Sequence, residues 1–297
     1  MKRIFIASPH GFCNGVKRAV ECVENILQQQ SADGKAVYVY NHIVHNSFVV
    51  NSLSKRGVIF VSALDEIPSG SKVVWSAHGI PPEIERQARK RGLETVDATC
   101  PLVKKLHHLA LKHIDSGHTV IFIGHANHPE TVGVVGCGNI FCIAPDAENV
   151  QLPDFPAGKK ISVLTQTTLC REDVEKTVQM LKNRYPGQLS IISDICYATA
   201  ERQQAVKELI ELYNIEKLLV IGSPSSSNSR RLCDTAEHCN VPAQLVDDPQ
   251  EIFAMQFDGC MRLGLTSGAS APEILMNKAL DILQEKHHFK IYEGMKK

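Results

Sequence analysis

Thr95–Ile114, TVDATCPLVKKLHHLALKHI, is the stretch that decides the fold: an apolar run ends in a polar turn at Cys100, and an amphipathic helix pattern begins behind Pro101. The same order occurs at Arg3–Val20, RIFIASPHGFCNGVKRAV, and at Ile191–Ile210, IISDICYATAERQQAVKELI. Cys13, Cys100 and Cys196 therefore recur at intervals of about ninety residues, each in a strand-to-helix turn beside the free N–H groups of a helix start. That spacing points to one shared centre.

The repeat extends beyond the cysteines. A second strand-like run breaks into a polar loop after each one: AVYVYNHIVHN, VIFIGHANHPE and LLVIGSPSSSNS. A third set follows in VVWSAHG, ISVLTQTT and RLGLTSGAS. Nine junctions in three sets of three predict three similar α/β units of roughly 95 residues, within the usual domain range. We expect lobes over 14–96, 97–193 and 194–286, with the N-terminal strand 1–13 joined to the third and 287–297 as a tail. In open parallel α/β sheets ligands gather outside the carboxyl ends of strands, where these polar loops belong. The competing reading is three unrelated α/β segments whose turns happen to be polar.

Composition narrows the class. Of 297 residues 43% are hydrophobic and 22% charged, which describes a globular chain with ample core. Basic and acidic residues balance at 32 each, so there is no nucleic-acid footprint. No apolar run is long enough to span a bilayer, and MKRIFIASPHGF turns polar too soon for a signal peptide; a cytoplasmic location is expected. Helical patterns cover 14–30, 82–92, 101–116, 171–184, 198–213, 229–239 and 272–286. Loops with Pro and Gly fall at Ile67–Ser71 and Asp154–Lys159, and patterning weakens after Lys286, where the chain is expected to fray.

Ten cysteines in a cytosolic chain of this length read as thiols, with a metal or cluster as the use of some. Cys22 falls on the apolar stripe Val16, Ala19, Val20, Val23 and Ile26 and reads as core. The pairs Cys137/Cys142 and Cys233/Cys239 lack a matching partner pair and read as packing rather than zinc. Three thiols from three units suit a four-iron cluster with one iron left open, which joins Lewis acidity to electron transfer; catalytic zinc is the lesser possibility.

The other six loops suit an anion. His45, His78, His128, Thr167, Ser226, Ser227, Asn228 and Ser270 are compact donors, and Gly79, Gly222 and Gly268 permit close backbone approach. Charged hydrogen bonds of roughly 1.5–3 kcal/mol each would offset much of the desolvation of a diphosphate. Glu130 in HANHPE is the best internal acid, because an enclosed carboxyl has its ionised form disfavoured. An equally available role is that of a first-turn glutamate steadying a helix start. His42 and His125 read as structural, and His107, His108, His113 and His118 as surface or packing residues.

Taken together, GFCNGV, VHNSFVV, SAHG, DATCPLV, GHANHPE, TQTTL, DICYAT, SSSNS and SGASAPE closely resemble the IspH/LytB family of 4-hydroxy-3-methylbut-2-enyl diphosphate reductases of the non-mevalonate isoprenoid pathway, over nearly the whole chain. The resemblance implies three α/β lobes in pseudo-threefold arrangement around a central [4Fe-4S] cluster with three cysteine ligands, Cys13, Cys100 and Cys196, and one open iron. It implies removal of an allylic hydroxyl with two electrons and protons, giving isopentenyl and dimethylallyl diphosphates. It assigns the diphosphate to His45, His78, His128, Ser226, Asn228 and Ser270, with Ser227 adjacent. Proton delivery falls to Glu130, and Thr167 is placed beside the substrate hydroxyl. A ferredoxin or flavodoxin-like electron donor and a monomer or weak dimer are expected. Departures from the commonest pattern are His10 for arginine, Asn14 for alanine, Ser267 for alanine, and a serine loop that opens GSPSSSNS. A dehydratase with a labile cluster, which needs no electrons, and a non-catalytic iron–sulfur sensor are the alternative classes.

Overall fold

One string of elements occurs three times in the computed structural model, which describes residues 1–30, 36–145, 147, 152–192 and 195–292. After β1 (Arg3–Ile6) come α1 (Asn14–Gln30), β2 (Val37–Tyr40), α2 (Ser47–Lys55), β3 (Val58–Val61), β4 (Lys72–Trp75), α3 (Pro82–Lys90) and β5 (Glu94–Asp97). The order returns as α4 (Pro101–Asp115), β6 (Thr119–Ile123), α5 (Pro129–Val135), β7 (Ile140–Ile143), β8 (Ile161–Thr165), α6 (Arg171–Arg184) and β9 (Leu189–Ile192). It returns again as α7 (Tyr197–Tyr213), β10 (Lys217–Ile221), α8 (Ser227–His238), β11 (Ala243–Val246), β12 (Arg262–Ser267), α9 (Glu273–Glu285) and β13 (Lys290–Ile291).

The strands form three parallel sheets ordered β3-β2-β4-β5, β7-β6-β8-β9 and β11-β10-β12-β1-β13. In the third sheet β1 takes the place that β5 and β9 hold in the others, pairing Ile4 with Leu263. The expected α/β class with three similar sheets is therefore what the chain adopts. The chain divides into two compact units, one of Met1–Cys13, His45–Val49 and Tyr197–Lys297, the other of Asn14–Val44 and Val50–Cys196.

Parallel strands bury both faces, and the apolar runs show why. In the first unit Ile4, Leu219, Ile221, Leu263 and Leu265 pack with Leu275, Met276 and Leu283 of α9. The alternate residues Phe5, Leu218 and Val220 pack on the other face with Val206 and Leu209 of α7 and Leu232 of α8. In the second unit Ile121, Ile123, Ile161 and Val163 meet Val174, Val178 and Leu181 of α6. Val120, Phe122 and Leu164 turn to Leu106 and Ala110 of α4.

The seven expected helices appear with ends within two residues of the sequence reading. Two further helices, α2 and α5, fall outside the expected helical patterns. Asn46 starts α2 by accepting the Val49 N–H at 3.0 Å. α5 contains Gly133 and the β-branched Thr131, Val132, Val134 and Val135, poor helix formers whose start is set by Pro129 and a His128 cap. The loops at Ile67–Ser71 and Asp154–Lys159 close with turns from Ser71 N–H to Pro68 and from Lys159 N–H to Pro156.

Two expectations are corrected. The segment after Lys286 does not fray through residue 292: Phe289 is buried in the α9 core and β13 pairs with β1, while residues 293–297 lie outside the described residues. Cys22 is half-buried rather than core, because it lies at the margin of the stripe formed by Ala19, Val23 and Ile26. Cys137 and Cys142 do pack, their thiols donating to the Gly133 and Gly124 carbonyls at 3.6 and 3.7 Å, and burial pushes Cys137 up to about 11.

Candidate active site

Cys13, Cys100 and Cys196 occupy one structural position repeated three times. Each follows the strand beside the third strand of its sheet order, namely β1, β5 and β9. Each donates its backbone N–H to the loop after that neighbouring strand: Cys13 to the Ala269 carbonyl at 3.1 Å, Cys100 to Ala77 at 3.0 Å, and Cys196 to Thr167 at 2.8 Å. All three are half-buried, and none of the ten cysteines is in a disulfide.

In the second unit the loops after β4, β6 and β8 bring together His78, His128, Glu130 and Thr167. Glu130, 2% exposed, receives the Thr167 N–H at 2.7 Å on Oε1 and the Thr167 hydroxyl at 2.8 Å on Oε2. Burial lifts its carboxyl from the ordinary 4.5 to about 7; the two Thr167 bonds favour the ionised form and limit that rise. Thr167 is thus bonded to Glu130 through its N–H and hydroxyl and to the Cys196 loop through its carbonyl.

His128 caps α5, its Nδ1 accepting the Glu130 N–H at 3.2 Å. A ring whose Nδ1 accepts carries its proton on Nε2, so Nε2–H is the group His128 can offer a ligand. The His78 ring stands edge-on to it, with centroids 5.8 Å apart at 88°, and its Nδ1 lies 3.4 Å from Ser76 Oγ.

In the first unit Ser226 caps α8 by accepting the Ser229 N–H at 3.3 Å. The Ser270 hydroxyl donates to the His45 carbonyl at 2.8 Å and lies 3.4 Å from Ser226 Oγ. Ser227 Oγ and both side-chain polar atoms of Asn228 are buried and have no hydrogen-bond partner among the described residues. Buried polar atoms in this state call for a ligand, and the positive end of a twelve-residue helix favours an anion.

The glycines of these loops also make room for neighbouring helices. A Cβ on Gly222 or Gly268 would stand 2.3 or 2.0 Å from Ser229 Oγ, and one on Gly79, at φ +75°, would stand 3.2 Å from the His107 ring. The close approach they permit includes that of α8 and α4.

His107, read as surface or packing, is packed: Gly133 flanks its ring as well, and burial holds it below the ordinary histidine value. The His125 backbone N–H donates to Gln166 Oε1 at 3.0 Å, and the His42 ring stands edge-on to Phe60. Sequence reasoning missed Gln166 and Arg202, both buried and both holding loop backbone. Neither stands at a motif position that its chemistry alone would mark. His10 is held below the ordinary histidine range by burial; Glu273 opposes that shift and Arg202 adds to it.

Residues 4–284 match the family model described as LytB protein. A 4-hydroxy-3-methylbut-2-enyl diphosphate reductase of Histophilus somni is 42% identical over 95% of this chain and 90% of its own length. One of Desulfotalea psychrophila is 40% identical over 98% and 91%. The solved Plasmodium falciparum E-1-hydroxy-2-methyl-but-2-enyl-4-diphosphate reductase superposes with TM-score 0.89 at 34% identity, covering 100% of this chain and 93% of that one. A second solved reductase, described as the terminal enzyme of the non-mevalonate pathway, gives 0.66 at 33%, covering 96% of this chain and 100% of that one. With this match along nearly its full length, three cysteines in one repeated turn and a buried carboxyl bonded to Thr167, which holds the third of those turns, the chain belongs to the LytB family.

Proposed function

We infer that the chain reductively removes the allylic hydroxyl of 4-hydroxy-3-methylbut-2-enyl diphosphate, giving isopentenyl and dimethylallyl diphosphates and water. The observation that carries this reading is the buried Glu130–Thr167 pair, a proton donor set near neutrality and tied to a cysteine loop. Breaking an allylic C–O bond needs a proton for the leaving oxygen, and a general acid works best when its pKa lies near the operating pH. When Glu130 is protonated it donates to Thr167 Oγ, and the Thr167 hydroxyl proton is released to point at the substrate hydroxyl.

Cys13, Cys100 and Cys196 are the proposed ligands of an iron–sulfur cluster. Thiolates are the natural ligands of such a cluster, and these three occupy the same turn in three like sheets. When bound, a [4Fe-4S] cluster with one open iron would relay two electrons, one at a time, from the external donor and would supply a Lewis acid for the hydroxyl oxygen. A ferredoxin or flavodoxin-like donor and a cytoplasmic location belong to the same reading. No helix among the described residues is long and apolar enough to cross a membrane.

In the first unit Ser226, Ser227, Asn228, Ser270 and His45 are assigned to diphosphate oxygens, the unpartnered atoms of Ser227 and Asn228 supporting that role. In the second unit His78 and the Nε2–H of His128 have the same assignment. The test is anaerobic turnover of the hydroxylated allylic diphosphate with dithionite and a viologen mediator, using protein assayed for iron and sulfide. Both five-carbon diphosphates are expected. Absence of product from fully loaded protein would overturn the reading, and turnover that persists without reductant would point to a dehydratase.

A further inference from the structure

Gly11, two residues before Cys13, has both of its backbone polar groups held by side chains. Its N–H donates to Ser267 Oγ at 2.7 Å, and its carbonyl accepts from Arg202 Nη2 at 2.8 Å. Gly11 sits at φ +75°, open to glycine at no steric cost, and because glycine restricts its own backbone little, these two bonds help to fix the peptide. Arg202 is 3% exposed on α7, and its Nη1 is fixed by the Ala198 carbonyl at 2.8 Å, which aims the guanidinium fork at the turn. Ser267 is fully buried at the end of β12. The Cys100 turn is held differently: Asp97 accepts the Thr99 N–H at 2.9 Å and pairs with Lys104 at 2.5 Å.

We propose that Ser267 and Arg202 are positioning residues that clamp the Gly11 peptide and thereby hold Cys13 in its ligating position. This rests on the reading of Cys13 as a cluster ligand. The Arg202 clamp also keeps a positive charge by the Cys13 turn, which favours the more negative, reduced state of a cluster there.

The test uses the full chain with Ser267→Ala, Arg202→Lys and Arg202→Met. Alkylation of Cys13 by iodoacetamide is followed peptide by peptide before cluster loading, with Cys100 as internal control. Iron loss to a chelator and the cluster's reduction potential are followed after loading. Loss of one hydrogen bond should speed Cys13 alkylation and iron release roughly 2- to 10-fold while leaving Cys100 unchanged. Arg202→Met should lower the reduction potential, and Arg202→Lys, which keeps the charge but not the fork, should restore it without restoring the alkylation rate. If cluster loading fails to protect Cys13 in the unaltered chain, the ligand reading fails. If loading protects Cys13 but Ser267→Ala and Arg202→Lys match the unaltered chain in alkylation and iron loss, the clamp is refuted, whether or not Arg202→Met folds.

Discussion

Glu130 carries two roles at once, because it is a first-turn residue of α5 and also an enclosed carboxyl that takes both Thr167 donors. Glu130→Gln preserves this geometry: its carbonyl accepts the Thr167 N–H, and its amide donates to Thr167 Oγ as the protonated acid would. It cannot release a proton, so kcat should fall by about 10²–10⁴-fold with the cluster content unchanged. A smaller loss in iron-loaded protein would remove Glu130 from proton delivery. The same residue gives a pH signature. Its folded value of about 7 lies above the ordinary 4.5, so the folded chain retains a proton that the unfolded chain gives up in that window. The carboxyl therefore costs nothing below about pH 4.5, and its full cost, roughly 3 kcal/mol at most, is felt above about pH 7. Thermal unfolding from about pH 5 to about pH 8 should show Glu130→Gln gaining on the unaltered chain as pH rises; a constant difference would mean the carboxyl is not raised. The acid was legible from HANHPE and Thr167 from the resemblance, whereas the direct bonds between them were not, since Thr167 lies 37 positions away and meets Glu130 only when β6 and β8 pair.

At the scale of elements, helix starts govern the site. Asn46, His128 and Ser226 each accept a backbone N–H at a helix N-terminus after the first or second strand of a repeat. The sequence showed polar loops there and not the helices α2 and α5, because their short, β-branched or glycine-bearing stretches lack the apolar period of the longer helices. α8 is seated closely enough that Gly222 and Gly268 leave room only for Ser229. Gly268→Ala should lower the thermal unfolding temperature, at a cost of about 1–3 kcal/mol, because its Cβ would stand 2.0 Å from Ser229 Oγ. Adding Ser229→Ala removes that oxygen and leaves the nearest Ser229 side-chain contact at 3.1 Å, so the double variant should recover most of the loss. Equal unfolding temperatures for Gly268→Ala and the unaltered chain would show that α8 can shift at no cost.

At the scale of the whole molecule, chain ends complete one sheet. β1 lies between β12 and β13, and Phe289 between them in sequence and core meets Phe257 with centroids 5.4 Å apart at 81°. Phe289→Ala should cost about 3–5 kcal/mol, and truncation after Lys286 should cost at least as much, read as a lower unfolding temperature and faster proteolysis of residues 1–13. A truncated chain that unfolds like the full one would make β13 incidental. The tail reading failed because HHFKIYE is too short to show a period, and a strand at a sheet edge is defined by its neighbour.

By itself the sequence determined the α/β class, the threefold recurrence of elements, most helix limits and the cysteine turns, because apolar period, caps and turn residues are local properties of the chain. Tertiary structure decided which strand completes each sheet, which donors meet Glu130, that two site glycines serve helix packing, and that Arg202 and Ser267 hold the turn before Cys13. Those are contacts between residues distant in sequence, and the strand pairing that creates them leaves no periodic mark on either partner.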